Sequence, residues 1–254
     1  MADHAPHPLG PPWLGSDVRQ REPTEEEFTS PFPLQEGVRG RDPTTADALE
    51  AGRRLLAAEC RFFFAAQRLD QLPPPAGPEV AFAGRSNVGK SSLLNALTGR
   101  RALARVSAEP GRTRQLNFFD LGGRMTLVDM PGYGYARASK DIKADWQGLM
   151  FDFLRGRPTL RRVMLLLDSR IEVKPSDVAV MELLDRAAVT FQIVLTKADA
   201  VKPHALELKQ HEAATLARAH PAAFPEVLTT SSETELGIPE LRASLAGLAG
   251  RPVT

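Results

Sequence analysis

The feature that most constrains this chain is the stretch GRSNVGKS, residues 84–91, which directly follows the short apolar run EVAFA. A G-x-x-x-x-G-K-[ST] loop between a strand and a helix can surround a phosphate with backbone N–H groups. Gly84 and Gly89 allow the backbone a close approach and angles that other residues avoid. Lys90 offers a positive charge to the terminal phosphates, and the Ser91 hydroxyl is a candidate Mg²⁺ ligand. The stretch predicts a nucleotide site but leaves the nucleotide open.

Apolar runs of strand length alternate with helical spacing along the rest of the chain. The predicted strands include EVAFAG, RRVMLLLD, TFQIVLT and the short EVLTT, each followed by a predicted helix. QLNFFDL and RMTLVDM, joined at GG, predict a hairpin, and FFFAA predicts an edge strand. This order predicts an α/β fold: a mostly parallel sheet with one antiparallel edge strand and helices on both faces.

Composition narrows the class of protein. The chain has 254 residues, with 43% hydrophobic and 25% charged residues, and its net charge of +1 gives no global preference for nucleic acid. The single cysteine, Cys60, excludes an internal disulfide and is interpreted as a small buried hydrophobe. No signal peptide is recognised, and the longest aliphatic run, residues 163–167, is far below the ~20 apolar residues of a membrane span. We therefore expect a cytoplasmic protein without membrane insertion.

The N-terminal segment differs from the rest of the chain. Residues 1–43 contain eight prolines and few large apolar side chains, so they cannot bury enough surface to offset the entropy of ordering. We predict a disordered or loosely attached arm over residues 1–43 and one domain over residues 44–254. A threonine after Pro43 is predicted to cap the first helix of that domain.

The segment DMPG, residues 129–132, follows the second strand of the predicted hairpin. Ligands of open α/β sheets bind beyond the carboxyl ends of the strands, so this segment should lie beside the phosphate loop. Asp129 can hold Mg²⁺ directly or through water, and the Gly132 N–H can sense a γ-phosphate.

Two further polar segments follow later strands and indicate which base is bound. In TKAD, the carboxylate of Asp199 matches the paired N–H donors of guanine, which adenine lacks. Lys197 is predicted to pack along the base, and Thr196 to tie this loop to the phosphate loop. TSS, residues 230–232, is predicted to add backbone N–H groups near the guanine oxygen. The four segments together predict a guanine nucleotide site.

The segments GRSNVGKSSLLNAL, PGRTRQLNFF, LVDMPGYGYA, VLTKAD and TSSETELGIPEL resemble the EngB (YihA/YsxC) family of bacterial ribosome-assembly GTPases, from about residue 61 to about residue 248. The resemblance implies a three-layer Ras-like P-loop GTPase fold, binding of GTP, GDP and Mg²⁺, and slow hydrolysis of GTP. It also implies a molecular switch in assembly of the large ribosomal subunit, with a link to cell division and septation. The implied partner is the precursor of that subunit, with its RNA and proteins. We expect a monomer.

The same resemblance assigns roles by motif. Thr113, in PGRTRQ, matches the switch threonine that completes the Mg²⁺ and γ-phosphate shell, so the implied metal ligands are Ser91, Thr113 and Asp129. The candidate catalytic residues are Lys90, Thr113 and Asn87. The nucleotide-binding residues, which all lie in these motifs, are Gly84, Arg85, Ser86, Asn87, Val88, Gly89, Lys90, Ser91, Gly111, Arg112, Thr113, Arg114, Gln115, Asp129, Met130, Pro131, Gly132, Thr196, Lys197, Ala198, Asp199, Thr230, Ser231 and Ser232.

Two residues bear on the rate of GTP hydrolysis. Tyr133 stands where many small GTPases have a water-orienting glutamine, and its ring can simply point away, so slow turnover is predicted. Asn87 leaves two interpretations open. It can help to bind K⁺ beside the β- and γ-phosphates, as in related GTPases, or it can stabilise the loop by side-chain-to-backbone hydrogen bonds.

Arginine clusters and aromatic runs give weaker indications of contact with RNA. Each arginine is interpreted as solvated or phosphate-neutralising, but the clusters on loops are compatible with contact to ribosomal RNA. They comprise Arg100, Arg101, Arg105, Arg112 and Arg114, followed by Arg155, Arg157, Arg161 and Arg162. The phenylalanines at 62–64 and 118–119 are interpreted as core strands and not as base-stacking platforms.

Two other functions are alternatives to a GTP switch. A metabolic kinase with such a phosphate loop would need an acceptor site and a lid, and it has no use for a guanine-reading TKAD. A cell-division scaffold could use the nucleotide only for assembly. The chain shows no basic amphipathic membrane helix or lipidation signal to support a membrane scaffold.

Overall fold

The computed structural model describes residues 45–100, 103, 115–133 and 150–249. These residues form seven strands and six helices, arranged as a sheet with helices on both faces. The strands are β1 (Cys60–Ala66), β2 (Glu79–Gly84), β3 (Leu116–Leu121), β4 (Met125–Asp129), β5 (Leu160–Asp168), β6 (Phe191–Thr196) and β7 (Leu228–Thr229). The helices are α1 (Ala46–Leu56), α2 (Lys90–Thr98), α3 (residues 150–156), α4 (Pro175–Arg186), α5 (Pro203–Ala219) and α6 (Ile238–Leu248).

The sheet has the strand order β1-β3-β4-β2-β5-β6-β7. β3 runs antiparallel to both of its neighbours, β1 and β4, and all the other neighbouring pairs are parallel. The predicted α/β fold, with a mostly parallel sheet and one antiparallel strand, is confirmed. That strand lies one position in from the edge, because β1 pairs outside it.

The central strand β2 shows why helices cover both faces. All six of its residues are buried, and successive side chains point to opposite sides of the sheet. Val80 and Phe82 pack into the core formed with α1, α2 and α6, whereas Ala81 and Ala83 pack into the core formed with α3, α4 and α5. A strand that is apolar on both faces is stable only between two layers.

The first helix begins where the sequence predicts. The Thr45 hydroxyl accepts a hydrogen bond from the backbone N–H of Ala48 at 3.3 Å and thereby caps α1. The predicted boundary at residue 43, and the arm before it, lie outside the described residues. Cys60 is buried as predicted, and burial raises the pKa of its thiol to about 11. None of the helices in the described ranges is long and apolar enough to cross a membrane.

The aromatic run on β1 corrects one prediction. Phe62, Phe63 and Phe64 form an edge strand as expected, but they are 38%, 47% and 37% exposed and do not belong to the core. Phe118 and Phe119 on the neighbouring β3 are buried as predicted. Among the strands that the structure describes, β1 pairs only with β3, so fewer neighbouring side chains cover it than cover the strands inside the sheet.

The arginine cluster in RGRPTLRR is also corrected. Arg157 is buried, and its guanidinium donates to both carboxylate oxygens of Glu79 at 2.6 and 2.7 Å. Arg162 is buried over the ring of Phe224, 3.8 Å from its centroid, and burial lowers the pKa of this guanidinium to about 10. The interpretation as a surface for RNA is therefore wrong for these two residues. The cluster's other two members, Arg155 and Arg161, are exposed, as is Arg100, whereas Arg101, Arg105, Arg112 and Arg114 lie outside the described residues.

Candidate nucleotide site

The phosphate loop joins the end of β2 to the start of α2. Asn87 and Gly89 have φ angles of 65° and 101°, so the loop depends on left-handed conformations, which glycine adopts freely and asparagine tolerates. Gly84 is required for space, because a Cβ atom there would lie 2.8 Å from Cγ1 of Val88. Lys90 begins α2, and Ser91 is exposed in the first helical turn.

Lys90 and Asp129 form an ion pair at the mouth of the sheet. The side chain of Lys90 is 12% exposed and that of Asp129 is 3% exposed, so solvent screens this attraction only weakly. The structure thus joins the predicted phosphate-binding cation and the predicted metal-binding carboxylate, although they are 39 residues apart in sequence.

Asn117 is a site residue that sequence reasoning missed. Its amide donates to Oδ2 of Asp129 at 3.5 Å, and its own Oδ1 accepts from the amide of Gln115 at 2.9 Å. Asn117 is only 2% exposed. Its signal in the sequence was a polar residue inside the otherwise apolar run LNFF of β3. Asn117 therefore orients the carboxylate of Asp129.

The DMPG segment is attached to the phosphate loop by backbone contacts. The N–H of Tyr133 donates to the carbonyl of Gly84 at 3.2 Å, and the N–H of Ser86 donates to the carbonyl of Tyr133 at 3.1 Å. A Cβ atom on Gly132 would lie 3.0 Å from Oγ of Ser86, so the two loops touch at this glycine. Met130 and Pro131 complete the connection from β4.

The TKAD segment is attached to the phosphate loop by side chains. The Thr196 hydroxyl donates to the carbonyl of Val88 at 2.7 Å, which is the predicted tie between the two loops. The Lys197 ammonium donates to the carbonyl of Asn87 at 2.6 Å and to Oδ2 of Asp168 at 2.9 Å. The two loops are therefore held in a common frame.

Asp168, at the carboxyl end of β5, is a second residue that sequence reasoning missed. Burial alone would raise the pKa of its carboxyl, but hydrogen bonds from Arg170 and Lys197 outweigh burial and lower this pKa to about 2. Asp168 is thus a fixed negative charge that holds Lys197 in place. Asp168 directly follows the apolar run VMLLL. An acidic residue at the end of a predicted strand could have indicated a site residue from the sequence alone.

Asp199 meets the TSS segment at the far side of the site. The Ser231 hydroxyl donates to Oδ1 of Asp199, and the N–H of Ala198 donates to the carbonyl of Thr230 at 3.1 Å. The Ser231 oxygen also accepts two backbone N–H groups from the turn that follows, so its orientation is well defined. Ser231 therefore holds the carboxylate that is predicted to read guanine.

The expected role of TSS needs correction for two of its residues, Thr230 and Ser231. The N–H of Thr230 donates to the carbonyl of Leu195 at 2.7 Å, and the N–H of Ser231 donates to the carbonyl of Leu236 at 2.9 Å. Both donors are thus engaged within the protein and do not face a base. The Ser231 side chain contacts Asp199, and Ser232 follows as a half-buried residue.

Tyr133 is buried and Asn87 is exposed. The Tyr133 side chain is 6% exposed and packs in the core, so the phenol points away from the phosphate loop's ligand face. Asn87 is exposed, and its side chain forms no hydrogen bond with any residue that the structure describes. Asn87 shapes the loop through its left-handed backbone conformation and not through a hydrogen bond of its side chain.

The residues that are described suit Mg²⁺. A carboxylate from Asp129 and a hydroxyl from Ser91 are hard oxygen ligands, which Mg²⁺ prefers together with water and phosphate oxygens. Within the described ranges, no three His, Cys, Asp or Glu side chains cluster as a metal site, and the predicted set has only one carboxylate. Thr113, with Gly111, Arg112 and Arg114, lies outside the described residues.

Comparisons with known proteins by sequence find GTP-binding proteins. A family model described as "50S ribosome-binding GTPase" matches residues 79–197. A protein of Granulibacter bethesdensis named "Probable GTP-binding protein EngB" is 67% identical over 213 residues, which are 82% of this chain and 96% of the relative. The protein of the same name from Gluconobacter oxydans is 65% identical over 207 residues, covering 82% of this chain and 91% of the relative.

The solved structures support the fold. The crystal structure of a "probable GTP-binding protein engB" covers 66% of this chain and 96% of its own, with a TM-score of 0.53 and 23% identity. At this level of identity, the likeness shows a shared fold and nothing further. The Ras-like architecture that the family resemblance implied is thereby confirmed.

Proposed function

The chain belongs to the EngB family of P-loop GTPases, and on that premise we propose that it is a GTP-operated switch in assembly of the large ribosomal subunit. The observation that carries this proposal is the convergence of Lys90, Asp129 and Asp199 at the carboxyl ends of β2, β4 and β6. A cation for phosphate, a carboxylate for metal and a carboxylate for guanine are the three parts that such a switch requires.

The proposed reaction is in-line attack of water on the γ-phosphate of GTP. Lys90 would move from Asp129 to the phosphates, where its charge neutralises the charge that develops on the transferring group. Mg²⁺, held by Ser91, Thr113 and Asp129, would supply further neutralisation when bound. Because Tyr133 is buried and cannot orient the attacking water, we expect slow intrinsic hydrolysis.

The proposed partner is a precursor of the large ribosomal subunit, with a consequent effect on cell division and septation. The description of the matching family model as 50S ribosome-binding supports this partner. A ribosomal partner would place the protein in the cytoplasm, and we propose that it acts there as a monomer. Arg155 and Arg161 are exposed and remain available for RNA.

The test of the proposed function has two stages. Titration with GDP, GTP and ATP should show guanine binding and no ATP binding. The purified protein, loaded with a non-hydrolysable GTP analogue, should then capture immature large subunits from lysate, and GDP-loaded protein should not. Capture should weaken steeply with added salt if RNA phosphates provide the affinity. Binding of ATP in preference to GTP, or recovery of division proteins without ribosomal material, would contradict the proposal.

Asn87 leads to a prediction about monovalent cations. We expect GTP hydrolysis to be about tenfold faster in KCl than in NaCl of equal concentration, because K⁺ beside the β- and γ-phosphates would supply part of the charge of an arginine finger. The measurement is phosphate release under single-turnover conditions. Asn87→Gly is the matched variant. Glycine also adopts the left-handed backbone of this position, but it lacks the amide oxygen that is proposed to help bind K⁺. Equal rates in the two salts would exclude the K⁺ role.

A further inference from the structure

The edge strand β1 presents three consecutive phenylalanines at the surface. Phe62, Phe63 and Phe64 are 38%, 47% and 37% exposed, although all three belong to the sheet. Single exposed apolar side chains are normal in proteins, whereas contiguous ones mark a site of interaction. Within the described ranges, the other exposed large apolar residues stand singly along the chain: Leu69, Ile171, Leu208 and Leu236. β1 is therefore the candidate interaction surface of the described part of the chain.

The pairing of β1 with β3 places two of these rings on one face of the sheet. Residues directly opposite each other in an antiparallel pair point to the same face. Phe64 lies opposite Phe118, and the ring of Phe63 packs against the same Phe118 at a centroid distance of 6.2 Å. Phe62 instead lies opposite Phe119 and packs against it at 5.8 Å, on the other face. Phe63 and Phe64 therefore form an adjacent pair of rings, to which Phe62 does not belong.

The Phe63 ring is held in place from the inside. Phe118, against which it packs, is fully buried and packs in turn against Phe153 of α3, with ring centroids 6.3 Å apart. One side of the Phe63 ring is thus anchored on the core, while nearly half of the residue stays exposed. An aromatic surface that is already ordered loses little conformational entropy when a planar group stacks on it.

Exposed arginines flank the two rings. Arg61 lies opposite Asp120 and, by alternation along the strand, on the face of the two rings, whereas Asp120 turns its carboxylate to the N–H of Gly123. The guanidinium of Arg61 pairs with Glu59 at 2.6 Å, and these two side chains are 71% and 52% exposed. Water screens so exposed an ion pair, so a phosphate can replace the carboxylate. The side chain of Arg68, beyond the other end of β1, is 68% exposed. The rings thus lie between two cations.

An added protein strand is the alternative occupant of an edge strand. β1, however, has a bulge between Phe62 and Phe64, where its register against β3 shifts. A bulge twists an edge strand and interrupts the row of backbone groups with which another strand would pair. Single-stranded RNA needs no such row, because it binds through stacked bases and neutralised phosphates. The combination of bulge, rings and arginines therefore favours RNA.

We propose that Arg61, Phe63 and Phe64 form a platform for single-stranded RNA, in which bases stack on the rings and the guanidinium pairs with a phosphate. This inference rests on the proposed function, because it names a surface by which the protein would contact the RNA of the large-subunit precursor. Two strands, β3 and β4, separate the platform from β2, whose end carries the phosphate loop. Substitutions in the platform therefore remove no proposed nucleotide contact.

The first test replaces the rings. Leucine is apolar but has no aromatic face, so Phe63→Leu combined with Phe64→Leu should weaken binding of a short single-stranded RNA of mixed sequence by about tenfold or more. Phe63→Tyr combined with Phe64→Tyr should restore nearly wild-type affinity. Phe62→Leu, on the opposite face, is the matched control and should change the affinity by less than about twofold. Fluorescence anisotropy of labelled RNA on the full chain measures the affinities, with GDP affinity and thermal unfolding recorded in parallel.

The second test removes the cation. Arg61→Ala should weaken RNA binding and reduce the steepness of its salt dependence, by about 0.7 in the slope of log K against log salt for one phosphate contact. The leucine pair should leave this slope unchanged, because stacking releases no counterions. Arg53→Ala is the matched control. Arg53 is also an exposed arginine paired with a glutamate, but it lies on α1, which covers the other face of the sheet.

Several outcomes would overturn the platform. They are a wild-type chain that binds no single-stranded RNA at low salt, leucine variants that bind it like the wild type, and equal losses in Phe62→Leu. A dimer that sedimentation detects and that the leucine pair disrupts would assign β1 to contact between copies instead. If the wild type captures immature large subunits but fails the RNA test, this inference alone is wrong. If it binds RNA through the platform but captures no subunits, the proposed function is wrong and the platform stands.

Discussion

The Lys90→Ala variant is expected to lose affinity for both GTP and GDP by about 100-fold or more, which corresponds to ~2.7 kcal/mol or more of binding free energy. Lys90 is the proposed phosphate-binding cation, and it is only 12% exposed and therefore poorly screened. Its loss also removes the ammonium that pairs with Asp129, a carboxylate that is only 3% exposed. The negative charge of Asp129 would then oppose binding of the phosphates. Isothermal titration with each nucleotide measures the effect.

Lys202→Ala is the matched control for this variant. Lys202 is exposed ahead of α5, so the same substitution there should leave nucleotide affinity unchanged. Thermal unfolding of both variants separates loss of binding from loss of fold. Lys90→Ala protein that remains folded and binds GTP with nearly wild-type affinity would show that the phosphates lie elsewhere.

Asp199→Asn is expected to convert a guanine site into one that prefers xanthine. Guanine presents two N–H donors to the carboxylate, and an amide offers one acceptor and one mismatched donor, so GTP affinity should fall by about 100-fold or more. Xanthosine triphosphate presents an acceptor where guanine has its amino group, and it should bind the variant better than it binds the wild type. Competition between the two nucleotides measures the change.

The Ser231 contact adds a graded test of the same assignment. Ser231→Ala removes the hydroxyl that holds Asp199 but leaves the carboxylate, so GTP affinity should fall less than in Asp199→Asn and xanthosine triphosphate should gain nothing. Ser232→Ala is the neighbouring control, and it should retain the wild-type preference. GTP that outcompetes xanthosine triphosphate as strongly in Asp199→Asn as in the wild type would refute the role of Asp199.

The sequence was most informative where local pattern determines structure. The strand ends that carry Gly84, Asp129 and Thr196 could be located because apolar runs stop there, and parallel strands place their carboxyl ends at one edge. The cap at Thr45 follows from the same kind of local rule. These features depend on a few neighbouring residues, and all of them were predicted.

The sequence was least informative where partners are distant along the chain. Arg157 looked like a surface charge, because nothing near it in sequence indicates that Glu79, 78 residues away, forms a buried ion pair with it. The exposure of Phe63 depends on the position of β1 at the edge of the described strands, which is a property of strand order. The role of Asn117 follows from the antiparallel pairing of β3 with β4, which places Asn117 opposite Asp129. Tertiary pairing determines each of these outcomes.

The hydrogen bond from Thr196 to the carbonyl of Val88 has a consequence for the kinetics of nucleotide exchange. Together with the Lys197 and Ser231 contacts, it orders the proposed base-binding half of the site during folding, so little conformational entropy should be lost there when a nucleotide binds. Association should then be fast and similar for GDP and GTP, which share the base. The lifetimes of the two complexes, and not their rates of formation, would decide which nucleotide occupies the protein in the cell.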